Sequence, residues 1–175
     1  MTTYHGKIFA SHKRFGIVVS RFNEYITARL LDGALTLLKK AGVPGKNIHV
    51  VWVPGGLEVP LFCKKLKTQT HCDAVIALSC VIRGGTYHFE CVSNELVRGI
   101  DQVALETGTP IASGVITADN LEQAIDRAGL KSGNKGEQAA LVALEIASLN
   151  EQLAGKARKS GKKKHHSSAN PKRKS

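Results

Sequence analysis

What most constrains the fold of this chain is an alternation of two apolar rhythms. Residues 15–22 (FGIVVSRF), Ile48–Val53, Asp73–Ile82 and Ile111–Ile116 are short, nearly continuous apolar or β-branched runs, as expected of strands covered on both faces. The segments between them repeat at helical spacing. Ile26, Leu30, Ala34, Leu37, Leu38 and Ala41 form one stripe, with Asn23 placed to cap it and Gly42 to end it. Pro54-Gly55-Gly56 breaks the second run, and Leu57–Leu66 resumes helical spacing with Pro60 in its first turn. His88–Glu106, Leu121–Ala128 (capped by Asp119 or Asn120, stopped by Gly129) and Glu137–Leu153 supply three more helices. Strand then helix four times, with one helix to spare, predicts an α/β protein: a flavodoxin-like three-layer α/β/α sandwich around a four-stranded parallel sheet. The first dozen residues leave room for an extra edge strand, on this subunit or a neighbour.

At 175 residues and 42% apolar content the chain suits a single domain with a real core. No apolar run nears the roughly 18 residues of a membrane helix, and MTTYHGKIFASHKRF has no apolar leader segment. A cytoplasmic protein without membrane contact is therefore expected. Cys63, Cys72, Cys80 and Cys91 contain no CxxC pair, so reduced structural thiols are expected rather than a zinc or redox site. His5, His12, His49 and His71 lack ligand spacing, and no metal is expected. The net charge of +11 is uneven: residues 154–175 hold nine Lys or Arg and no acid, leaving the rest near neutral. This divides the chain into a domain, residues 1–153, and a basic tail, residues 154–175, read as disordered. The tail is either a solubilising extension or an arm for non-specific, salt-sensitive polyanion binding; it has no aromatic residue to stack bases.

In open parallel sheets ligands bind at the carboxyl ends of the strands, and three of those ends are unusual. The first ends at Phe22. The second ends in Gly55-Gly56-Leu57-Glu58. The third ends in VIRGGTYHFE, where Gly84, Gly85 and Thr86 offer N–H groups and a hydroxyl to an anion, and His88 supplies a proton shuttle. An aromatic face, a carboxylate, an anion cradle and an imidazole suit a planar polar heterocycle and a phosphate. Taken singly, each has a duller reading: Phe22 as core, Glu58 as a partner of a helix dipole, Gly84-Gly85 as a tight turn, Arg127 and Lys135 as solvated charges. GNKG is not a Walker loop, and PGGLE is not a dinucleotide fingerprint.

Together, SRFN, VPGGLEVP, VIRGGTYHFE and GVITADNLEQAIDRAGLKSGNKGEQAALVALEIASL resemble the lumazine synthase family over residues 15–150. The resemblance implies a transferase of riboflavin biosynthesis that joins 5-amino-6-ribitylaminouracil to 3,4-dihydroxy-2-butanone 4-phosphate, giving 6,7-dimethyl-8-ribityllumazine, phosphate and water, with no cofactor. It implies Phe22 stacking on the pyrimidine, with Gly56, Leu57 and Glu58 along the ribityl and pyrimidine pocket. Cys80, Val81 and Ile82 then contact the ring through backbone groups, and Ser113 adjoins it. Gly85 and Thr86 hold the phosphate with Arg127 and Lys135, which come from an adjacent subunit. His88 moves protons. Leu57 and Ser113 stand where the family usually carries an aromatic residue. The resemblance further implies a homopentamer, compatible with a shell of twelve pentamers. Two other readings are an archaeal-type riboflavin synthase, which dismutates two lumazines, and a non-catalytic shell or ligand-binding protein whose tail binds polyanions.

Overall fold

The computed structural model describes residues 1–163, with side chains as far as residue 154. Four strands, β1 (Phe15–Ser20), β2 (Ile48–Val53), β3 (Ala74–Ile82) and β4 (Ile111–Ala118), form one parallel sheet in the order β2-β1-β3-β4. Five helices flank it: α1 (Glu24–Lys40), α2 (Val59–Thr70), α3 (His88–Thr107), α4 (Leu121–Arg127) and α5 (Lys135–Lys163). Alternate residues of the buried strands feed two cores. Phe15, Ile17, Val19, Ile76, Leu78 and Cys80 pack against α1, α4 and α5, while Val18, Val75 and Ala77 meet α2 and α3. The three-layer α/β sandwich expected from the alternation is what forms, because parallel strands buried on both faces need helices on both sides.

Several boundaries differ from the sequence reading. The first strand stops at Ser20, although Arg21 and Phe22 still donate N–H groups to the carbonyls of Val53 and Pro54. Gly56–Glu58 form a 3₁₀ turn, so α2 begins at Val59. The fourth strand continues to Ala118 because Thr117 and Ala118 pair with Val81 and Ile82. Residues 1–14 contain no strand; they lie against α1 and α5, with the Ala10 N–H on Ala41 and the Gln152 amide on the His5 carbonyl. The last helix begins at Lys135, because the Asn134 side-chain oxygen accepts from the N–H groups of Gly136 and Glu137 at 2.8 and 3.1 Å. That helix runs past Leu153 to Lys163; the rest of the expected disordered tail, residues 164–175, lies outside the described residues.

Asn134 also fixes the approach of α5 to α1. Its amide donates to the Arg29 carbonyl at 2.8 Å, and a Cβ on Gly33 would fall 2.5 Å from it. One turn along, a Cβ on Gly136 would lie 1.9 Å from the Leu30 carbonyl oxygen. The two helices meet backbone to backbone here, which only glycine permits. Among the described residues, no helix is long and apolar enough to cross a membrane.

Candidate active site

The carboxyl ends of β1, β2 and β3 open on one cavity of about 340 Å³. Phe22, Gly56, Leu57, Glu58, Cys80, Val81, Ile82, Thr86 and His88 all line it, joined by Ser79, Gly84, Phe89 and Val92. Gly85 lies in the same loop, between Gly84 and Thr86. Nine of the thirteen site residues implied by the resemblance thus line one space, drawn from three strand ends.

Phe22 lines the cavity with 70% of its surface exposed, so it is not a core residue. The geometry behind it rests on Asn23. This residue adopts the left-handed conformation (φ 59°) and makes no side-chain cap on α1; its amide instead donates to the Cys80 carbonyl at 3.0 Å. Holding a non-glycine residue there costs about 1–3 kcal/mol, and the bond from the end of β1 to the end of β3 helps keep it in place. Beneath lies a buried hydroxyl pair, Ser20 and Ser79 at 2.9 Å, with Thr27 donating to the Ser20 carbonyl at 2.7 Å.

Glu58 lines the cavity and also fixes the local backbone. One carboxylate oxygen accepts from the Gly55 N–H at 2.8 Å, fixing the turn into α2; the other has no partner among the described residues. The thiol of Cys80 points into the core on the α1 side, and burial pushes its pKa up to about 12. It is an uncharged packing group, so any contact of Cys80 with a ligand falls to its backbone. Cys63 is pushed to about 12 for the same reason.

The loop of residues 84–86 is open. A Cβ at Gly84 or Gly85 would meet nothing within 4 Å, and the N–H groups of residues 84–86 have no hydrogen-bond partner among the described residues. His88 is the first residue of α3, exposed at the cavity mouth, where N–H groups and the helix dipole favour negative charge.

Arg127 and Lys135 do not join this cavity. They line a separate one of about 560 Å³ beside the edge strand β4, with Thr117, Gln123, Asp126 and Ser132. Ser113 lines neither; it is exposed on β4, on the same face as Val115 and Thr117. Within one chain the two groups of site residues are therefore apart. A larger groove of about 980 Å³ runs along α3, but it lacks His88 and the strand ends that bring the other candidates together. Among the described residues no group of three or more His, Cys, Asp or Glu is arranged to hold a metal.

Sequence reasoning missed Asn23's actual role and the Ser20–Ser79 pair. Only the polar residues Ser20 and Ser79, set at or near the ends of apolar strands, carried a signal for the second.

Residues 12–151 match the model of the family described as 6,7-dimethyl-8-ribityllumazine synthase. Curated relatives bearing that description come from Clostridium kluyveri, 50% identical over 87% of this chain and 99% of its own length, and Syntrophus aciditrophicus, 52% identical over the same shares. Another, from Kosmotoga olearia, is 48% identical over 87% of this chain and 98% of its own. Among solved structures, a GDP-L-fucose synthetase from Naegleria fowleri is 17% identical, with a TM-score of 0.40 over 93% of this chain and 52% of that one, a likeness too loose to bear on the fold. With a match spanning the whole sheet and every strand end that builds the cavity, the chain belongs to the 6,7-dimethyl-8-ribityllumazine synthase family.

Proposed function

We propose that the cavity between Phe22 and His88 is where this chain, as a lumazine synthase of riboflavin biosynthesis, condenses 5-amino-6-ribitylaminouracil with 3,4-dihydroxy-2-butanone 4-phosphate. The observation that carries the assignment of the cavity is the convergence of an exposed aromatic face, a half-free carboxylate, an open anion loop and an imidazole on one space. The pyrimidine stacks on Phe22 and takes hydrogen bonds from backbone groups of residues 80–82. The ribityl hydroxyls reach Glu58 and the turn at Gly56 and Leu57. The phosphate sits on the N–H groups and hydroxyl of Gly85 and Thr86.

The chemistry then needs positioning and one proton shuttle. The pyrimidine amine adds to the butanone carbonyl and water leaves, giving an imine. The imine acidifies the neighbouring carbon, and His88 removes that proton as phosphate departs from the next carbon. His88 returns the proton as the enol becomes a ketone, and the second nitrogen closes the ring with loss of another water. A charged clamp on the phosphate lowers the cost of its departure.

Arg127 and Lys135 supply that clamp from a neighbouring subunit in a ring, which we take to be a pentamer. Their place beside the edge strand, away from their own chain's His88, supports this reading, since a head-to-tail ring sets one chain's edge against the next chain's cavity. Ser113, exposed on that same strand, faces the neighbour's pyrimidine in this arrangement. Mixing both substrates and following lumazine absorbance tests the function: wild type gives product and His88→Ala slows it by about 100-fold or more. A wild type that yields no lumazine, or one that turns lumazine alone into riboflavin, overturns it.

A further inference from the structure

The loop that would hold the phosphate has almost nothing of its own to fix its shape. Gly84 and Gly85 touch no atom at the Cβ position, and the backbone N–H groups of the loop are unpaired among the described residues. It is nevertheless bounded on both sides by one residue. The Arg83 N–H donates to the Ala118 carbonyl at 2.9 Å, extending the β3–β4 ladder one step beyond Ile82. Its side chain then spans the loop. Nε donates to Asp119 Oδ1 at 2.8 Å, at the end of β4, and Nη1 donates to Glu90 Oε1, in the first turn of α3. The guanidinium lies over the Phe89 ring, 4.2 Å from its centroid.

We propose that Arg83 is a positioning residue for the phosphate of the butanone substrate, a strut that sets the Gly84–Thr86 loop and His88 at a fixed separation before substrate arrives. The inference rests on the functional reading above and deepens it. With two carboxylates on its guanidinium, Arg83 is not a free cation for the ligand, so it acts through the loop. Its planar fork reaches two partners and an aromatic face at once, which an ammonium cannot do. The strut also reaches α4: the Asp119 N–H is held by the Gln123 side chain at 2.9 Å, and Asn120 caps that helix through the Gln123 N–H.

Partly exposed ion pairs add little to stability, so the strut's effect is expected in substrate handling rather than in folding. Without it the loop must be ordered by the phosphate itself, and misplacement by about 1 Å is enough to cost up to 100-fold. The test is steady-state kinetics on Arg83→Met, which keeps an unbranched chain over Phe89, beside Arg83→Lys, Glu90→Gln and the double variant R83M/E90Q. Arg83→Met should raise the KM for the butanone phosphate about 10- to 100-fold, while the KM for the pyrimidine moves less than about threefold and the melting temperature stays near wild type. Arg83→Lys should recover part of the loss, and R83M/E90Q should be no worse than R83M alone. Equal rises in both KM values, or an unchanged KM for the phosphate substrate in a folded variant, overturn the proposal. A wild type inactive with both substrates would instead overturn the functional reading.

Discussion

Replacing Gly136 by alanine should open the seam between α1 and α5. The added Cβ would lie 1.9 Å from the Leu30 carbonyl oxygen and 2.6 Å from its carbon, and must reach at least 3.0 Å. Both neighbours are backbone, so no rotamer change relieves the clash; the helices must part by about 1 Å, which forfeits up to about half the attraction of atoms in contact across the seam. That seam buries Leu30, Ala34 and Leu38 against Ala139, Ala140, Ala143 and Leu144. Overpacking commonly costs about 1–3 kcal/mol, and a backbone-to-backbone clash belongs at the upper end, about 3 kcal/mol. With a urea slope of about 1–3 kcal/mol per molar, the midpoint should fall by about 1–3 M. Circular dichroism in urea at one protein concentration measures it, since association raises apparent stability by mass action. Gly45→Ala is the control, because its Cβ meets nothing within 4 Å. A wild-type midpoint for Gly136→Ala, or an equal loss at Gly45, would refute the packing argument.

Glu151→Gln should weaken the attachment of the first residues to α5. Lys13 Nζ, with its side chain only 4% exposed, lies 2.8 Å from Glu151 and 3.7 Å from Asp73, and the Lys13 hydrogen bond holds the Glu151 carboxyl below its ordinary 4.5. A depressed carboxyl contributes stability above its unfolded pKa and loses it as pH falls through the folded one; with Glu151 more than half exposed and screened by solvent, the variant should lose at most about 1 kcal/mol at pH 7 and match wild type at low pH. Melting curves at pH 7 and about pH 3 check both halves. Ser113→Phe restores an aromatic wall and should lower the pyrimidine KM by about two- to tenfold; an unchanged KM would remove Ser113 from the neighbour's pocket. Deleting residues 155–175 removes nine Lys or Arg and should abolish retention on immobilised DNA at low salt; undiminished retention would contradict a polyanion-binding arm.

The sheet was readable because strands buried on both faces leave continuous apolar runs. Ends were less readable where pairing or capping outweighs composition. Thr117 is exposed yet pairs with Val81, so the last strand outruns its apolar pattern. Asn134, with Glu137 three residues on, carries a legible cap signal that moves the start of α5 to Lys135. Asn23 sits where a helix cap belongs, but its partner is a carbonyl 57 residues away, and no local pattern encodes such a contact. The same holds for Arg83 and Asp119, joined across two strand ends. The cavity residues singled out in sequence were legible because each closes or follows a strand whose end could be located. The resemblance had put Arg127 and Lys135 on a neighbouring subunit; within one chain they line a cavity beside the edge strand β4, apart from the one that His88 lines.

The most direct test of the shared site is subunit complementation. His88→Ala and Arg127→Ala are purified separately, each nearly inactive, then dissociated, mixed in equal amounts and reassembled. If each site takes its imidazole from one chain and its guanidinium from the next, random mixing leaves about one site in four intact, and lumazine formation should return to about a quarter of the wild-type rate. Activity that stays at the level of the separate variants, in mixed assemblies verified by mass, would contradict the account.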